Sequence, residues 1–126
     1  MKKKLRVTDS DFEEEVIDSP IPVLVDFWAS WCIPSQMMIP VIDKLDKEYD
    51  KKVKIRKLNV DQNPKMRNKH KIQGCPTFIL FKDGVELMRK VGAQSENQLR
   101  EIIDSLLWPA EVKKSKKSYK EVKIEK

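Results

Sequence analysis

A chain of 126 residues with 26 Lys and Arg against 20 Asp and Glu carries a formal net charge of +6. That length fits one domain with a core large enough to fold without staples, and two cysteines are too few for a disulfide scaffold. No apolar run is long enough to span a bilayer and no apolar leader follows Met1 to Arg6, so a soluble cytoplasmic protein without membrane partners is expected.

The charge is unevenly placed. Residues 110–126 hold seven Lys against three Glu, which puts +4 of the net charge on a Lys-rich C-terminal tail and leaves residues 1–109 as the expected domain. Apart from Tyr119 the tail has no interleaved aromatics, so specific nucleic-acid recognition is not expected.

In chain order, Leu5 to Val7 reads as a short strand, and Thr8 as the N-cap of a helix whose Phe12, Val16 and Ile17 share one face. Val23 to Trp28 is almost wholly apolar, as a strand buried on both faces requires, and Asp26 is its lone carboxylate. Met37, Met38, Val41, Ile42, Leu45 and Tyr49 recur at helical spacing, with Pro40 placed to kink the helix. Both methionines and Trp28 are expected to be packing residues.

A strand over Val53 to Val60 is followed by Asn63-Pro64, an N-cap and first-turn proline, and by a short helix to about Lys71. His70 lies on a polar stretch of that helix and is expected to have no role. Thr77 to Phe81 and Val85 to Val91 are joined by Lys82-Asp83-Gly84, a connection short enough only for an antiparallel hairpin, so the sheet is mixed. Ser95 to Gln98 forms a capping box ahead of the apolar stripe Leu99, Ile102, Ile103, Leu106 and Leu107, and Pro109 ends that helix.

The chemistry concentrates in Trp31-Cys32-Ile33-Pro34-Ser35. Cys32 stands at the start of a helix, where backbone N–H groups favour the thiolate that attacks a disulfide sulfur. Ser35 occupies the position at which a second thiol, at Cys-X-X-Cys spacing, would expel the product. A hydroxyl cannot enter an S–S bond. A natural monothiol protein and a Cys-to-Ser trapping form are both compatible with that serine. Two cysteines and one remote histidine cannot close a structural zinc site, and no metal or cofactor is expected.

The β-α-β-α-β-α-β-β-α order, together with Val25 to Pro34, Pro40, Lys57, Asn59-Val60-Asp61, Gly74-Cys75-Pro76-Thr77, Gly84 and Val91-Gly92-Ala93, resembles the thioredoxin family over about Leu5 to Leu107. The resemblance implies an α/β fold of three layers with a central mixed sheet flanked by helices. It implies a monomeric protein-disulfide reductase acting on disulfide-containing proteins and recharged by a thioredoxin reductase. Asp26 would be the buried acid beneath the redox pair, with Lys57 beside it, and Pro76 a cis-proline facing the Cys32 loop. Trp31, Ile33, Pro34, Cys75, Pro76, Gly92 and Ala93 would form the shallow apolar surface that accepts a partner's cysteine segment.

Three positions depart from the family pattern: Ser35 for the second cysteine, Ile33 for the usual glycine, and Cys75 before the cis-proline. With Ser35 in place Asp26 has no thiol to serve, which favours a structural role for it. The resulting expectation is a thioredoxin-like oxidoreductase impaired in turnover, whose Cys32 forms mixed disulfides that Ser35 cannot resolve. A redox-inactive binding or chaperone module using the same groove is the alternative from another class. Cys75 is expected to fill an apolar position, and a Cys32–Cys75 redox pair stays open.

Overall fold

The computed structural model describes residues 5–108, so the expected tail and Pro109 lie outside the described residues. The chain divides into two units, Met1–Gln94 and Ser95–Lys126. In the first, a π-helical turn (Glu13–Ile17) precedes β1 (Val23–Trp28), α1 (Ile33–Met37), α2 (Ile39–Glu48), β2 (Lys54–Asn59), α3 (Pro64–Lys69), β3 (Thr77–Lys82) and β4 (Val85–Val91). Among the described residues of the second unit, α4 (Glu96–Leu107) buries Leu99, Ile102 and Ile103. Its capping box is formed as expected, with the Gln98 N–H donating to Ser95 Oγ at 3.0 Å and the Ser95 N–H to Gln98 Oε1 at 2.7 Å. No helix among the described residues is long and apolar enough to cross a membrane.

The sheet order is β2-β1-β3-β4, with β1 parallel to β2 and antiparallel to β3, and β3 antiparallel to β4. It is the expected mixed sheet. Asp83 and Gly84 close the hairpin with φ of 53° and 78°, the left-handed values that suit a two-residue turn between twisted strands. Val23, Val25 and Phe27 point to one side of β1 and pack with Phe12, Val16, Leu58, Ile79 and Phe81 in one buried cluster. Truncating a fully buried ring such as Phe27 to alanine costs roughly 3–5 kcal/mol in sites of this kind.

Several sequence expectations change in detail. The Leu5 to Val7 strand is a single parallel bridge, Arg6 to Lys57, because only two ladder bonds form beside β2: Val7 N–H to Lys57 O at 2.9 Å and Lys57 N–H to Leu5 O at 2.8 Å. Thr8 is no helix N-cap; its own N–H donates to Asp11 Oδ1 at 2.7 Å. Pro40 separates two helices, since it cannot donate to the carbonyl four residues back. The break falls at Met38, and Pro40 sits in the first turn of α2, where no N–H is needed. The α3 N-terminus is capped from a distance, the Lys65 and Met66 N–H groups donating to the Asp9 carboxylate at 3.1 and 2.9 Å. The Asn63 side chain instead bridges Asp9 N–H and Asn59 O.

Met38 is buried, whereas Met37 is 65% exposed and not a packing residue. Trp28 is half-buried, its ring covered by Lys57 Nζ at 5.0 Å from the centroid, so it is not core. His70 differs most from expectation. It folds back against Phe12, Phe81 and Phe27, with ring centroids at 5.1, 5.4 and 5.9 Å, and its buried Nε2 has no hydrogen-bond partner among the described residues.

Burial, with the Lys69 charge beside it, holds His70 below its usual pKa of 6.5; Arg89 acts in the same direction and Glu86 against it. The unfolded chain therefore binds this proton before the folded one. His70 contributes its full stability above about pH 6.5, and that contribution is lost as pH falls below it. His70→Phe is expected to flatten this dependence, so that the stability difference between variant and parent shifts towards the variant between about pH 7.5 and pH 5 in urea titrations. A difference that does not change with pH would contradict the account.

Candidate active site

The pairing of β1 with β3 assembles the site. Phe27 lies opposite Thr77, so the chain leaving the C-terminal end of β1 and the chain entering the N-terminal end of β3 emerge at the same end of the sheet. Ala29 to Trp31 form a turn in which the Cys32 N–H donates to Ala29 O at 3.2 Å, and Cys32 becomes the N-cap of α1. This helix has only five residues, so its influence on the sulfur is that of one turn of N–H groups rather than of a long dipole.

On the opposite side the Cys75–Pro76 peptide is cis, as the resemblance implied. Pro76 O accepts the Gly92 N–H at 2.7 Å, and Thr77 Oγ1 donates to Gly74 O at 2.7 Å. Gly74 must be small. A Cβ there would lie 2.9 Å from Val91 Cγ1, so the glycine lets the loop rest against the end of β4.

These two loops are joined. Cys32 and Cys75, 43 residues apart in sequence, form a disulfide with their Cα atoms 6.5 Å apart, inside the range such a bridge requires. Cys75 packs against the buried cluster, as expected, and also bonds to Cys32, so Cys32 does not stand as a lone thiol in this structure. The bridged Cys32 is 7% exposed, and Cys75 is the more exposed residue of the pair. Cys32 Sγ also lies 3.0 Å from Cys75 O, which gives a reduced Cys32 thiol an acceptor for its S–H.

Ser35 is 3% exposed, and its Oγ has no hydrogen-bond partner among the described residues; the same holds for Asp26 Oδ1. Asp26 sits on the face of β1 opposite the Phe27 cluster, with Lys57 as its register partner on β2. Burial raises the Asp26 pKa from 3.8 to about 7, and the Lys57 charge pulls it down.

The expected binding surface is present in part. Trp31 and Ile33 are 67% and 74% exposed, Pro34 and Ala93 are exposed, Cys75 and Gly92 are half-buried, and Pro76 is buried. Trp31 is held in place by its indole N–H, which donates to Asp61 Oδ2 at 2.7 Å. A small, largely apolar niche next to Cys75 was not visible in the sequence. Trp31, Val60, Ile72, Gln73 and Gly74 line it, together with Arg67 of α3. The 3.6-residue spacing of α3 showed only a polar helix, with no sign of which of its side chains would reach the cystine.

A cystine that links the loop after a central strand to a cis-proline loop, on a mixed α/β sheet, defines a thiol–disulfide exchange protein. The family sequence model described as Thioredoxin matches residues 3–105. The thioredoxin of Rickettsia prowazekii is 48% identical over 98 residues, covering 78% of this chain and 93% of that relative. Thioredoxin 1 of Nostoc sp. is 41% identical over 107 residues, covering 85% of this chain and 100% of that relative. The chain belongs to the thioredoxin family.

The environment of Asp26 has a measurable consequence. Its folded pKa lies above its unfolded one, so the protonated acid favours the fold; that advantage is complete below about pH 3.8 and is lost as pH rises through about 7. Asp26→Asn keeps the shape and removes the charge. It is expected to be more stable than the parent at about pH 8.5, by at most on the order of 4 kcal/mol, with the difference shrinking as pH falls below about 7. Denaturant midpoints at the two pH values check this, and equal gains at both would contradict it.

Proposed function

We propose that the chain is a protein-disulfide reductase of the thioredoxin type in which Cys75, rather than residue 35, supplies the second thiol. The Cys32–Cys75 disulfide is the observation that carries this reading. In the reduced protein the Cys32 thiolate attacks one sulfur of a substrate disulfide, forming a mixed disulfide and releasing the first substrate thiolate, which takes a proton from water. Cys75 gives up its proton to water and attacks Cys32 Sγ, which forms the Cys32–Cys75 bond and expels the second substrate thiolate, and that thiolate takes a proton from water. Two electrons pass from the pair to the substrate.

Recharging needs a dithiol donor, and a thioredoxin reductase fits the family. Its thiolate attacks the sulfur of Cys75, the more exposed residue of the pair, and expels Cys32 as thiolate. The donor's second thiol then releases Cys75 and leaves the donor oxidised. Cycling of this kind suits a compartment kept reducing, such as the cytoplasm, where a disulfide is transient rather than structural. No step requires Asp26, so Asp26→Asn is a change in stability more than in turnover. Proteins with accessible disulfides are the substrate class, met at the apolar surface around Trp31, Ile33 and Pro76.

Insulin reduction with an external donor tests the assignment. The parent is expected to turn over, Cys32→Ser to be inactive, and Cys75→Ser to accumulate dithiothreitol-sensitive adducts. Multiple turnover in Cys75→Ser should fall by on the order of 100-fold, because a dilute external thiol replaces an intramolecular attack. A parent that accumulates adducts as readily as Cys75→Ser would return the protein to a monothiol trap. Adducts accumulating only in Cys32→Ser would reverse the two roles and overturn the cycle as written.

A further inference from the structure

We propose that Arg67 selects substrates carrying an acidic residue within two positions of the attacked cysteine; the proposal rests on the disulfide-exchange reading above. The niche beside the cystine has Cys75 in its wall, so a substrate segment whose sulfur reaches the pair lays a neighbouring residue into that niche. One or two residues of extended chain, about 3.3 Å each, cover the step. The other walls are Trp31, Val60, Ile72, Gln73 and Gly74, and Arg67 supplies the positive group of the lining.

Arg67 is exposed on α3, and its guanidinium has no carboxylate partner among the described residues. Asp61, the acid against the same indole, has one oxygen committed to the Trp31 N–H. Lys65 and Lys69 of the same helix line a separate cavity with Asp9 and Glu13, so among the lining residues of the niche Arg67 is the charged side chain and sets the sign of the local field. A planar guanidinium with five donors matches a carboxylate in two-point contact. Apolar walls on one side lower the water competition that normally weakens exposed pairs. A lysine in the same substrate position meets a like charge.

The test uses disulfide-linked peptides that differ only beside the cysteine, which is flanked by Asp or by Lys. For each protein the rate of the first step, formation of the Cys32 mixed disulfide, is measured in a Cys75→Ser background. The Asp-to-Lys ratio within one protein cancels any loss common to both peptides. With Arg67 present the ratio is expected to be about three- to tenfold in favour of Asp, the range of one partly shielded ion pair plus the repulsion it replaces. Arg67→Gln should bring it near unity, Arg67→Glu should invert it, and high salt should compress it in the parent. A ratio unchanged in Arg67→Glu, or near unity in the parent, overturns the proposal. Failure of the Cys75 reading is read separately: both peptides would then form adducts that the two-cysteine protein does not resolve, while the ratio would still report on Arg67.

Discussion

The antiparallel register of β1 against β3 is the constraint on which the rest depends. Phe27 opposite Thr77 brings the exit of the central strand and the approach to the third strand to one end of the sheet. The Cys32 loop and the Cys75–Pro76 loop can meet only there. Side-chain alternation on β1 does the remaining sorting: Val23, Val25 and Phe27 face the aromatic cluster, and Asp26 faces the opposite side with Lys57. A slip of one residue would exchange those faces and bury Asp26 among Phe12, Ile79 and Phe81, at a cost no native-like packing would offset.

Moving the second thiol from position 35 to position 75 changes what the disulfide does to the chain. In the chain-entropy treatment, a bridge closing a four-residue loop restricts the denatured state by about 2 kcal/mol, and one closing a loop of 43 residues by about 4 kcal/mol. A neighbouring-turn pair alters one helical turn on reduction. The Cys32–Cys75 bond ties the Cys32 loop to the cis-proline loop, and in the proposed cycle its opening and closing act on both. Ser35 is a buried hydroxyl without a hydrogen-bond partner among the described residues, and Asp26 is an acid that titrates near neutrality.

The fold was legible wherever the local code is dense. Alternation or continuous apolarity marked β1 to β4, Asp83-Gly84 set the hairpin, and Ser95 with Gln98 marked the start of α4. The site was half legible. Trp31, Cys32 and Pro76 stand out by motif, but a 43-residue separation says nothing about distance between two sulfurs. What stayed hidden depends on long-range contacts: Asp9 capping α3 from 56 residues before Lys65, His70 folding into the Phe12, Phe27 and Phe81 rings, and Arg67 reaching the niche beside Cys75. Met37 and Trp28 fell on apolar stripes whose edges only packing could define.

The central claim is that Cys32 and Cys75 form one redox pair. Intact mass after treatment with a thiol-blocking reagent, with and without prior reduction, tests it most directly. Air-exposed protein should take up no reagent and fully reduced protein two equivalents, with a tryptic fragment linking the two cysteine peptides only in the first case. Two equivalents bound without reduction, on protein folded and exposed to an oxidant, would contradict it.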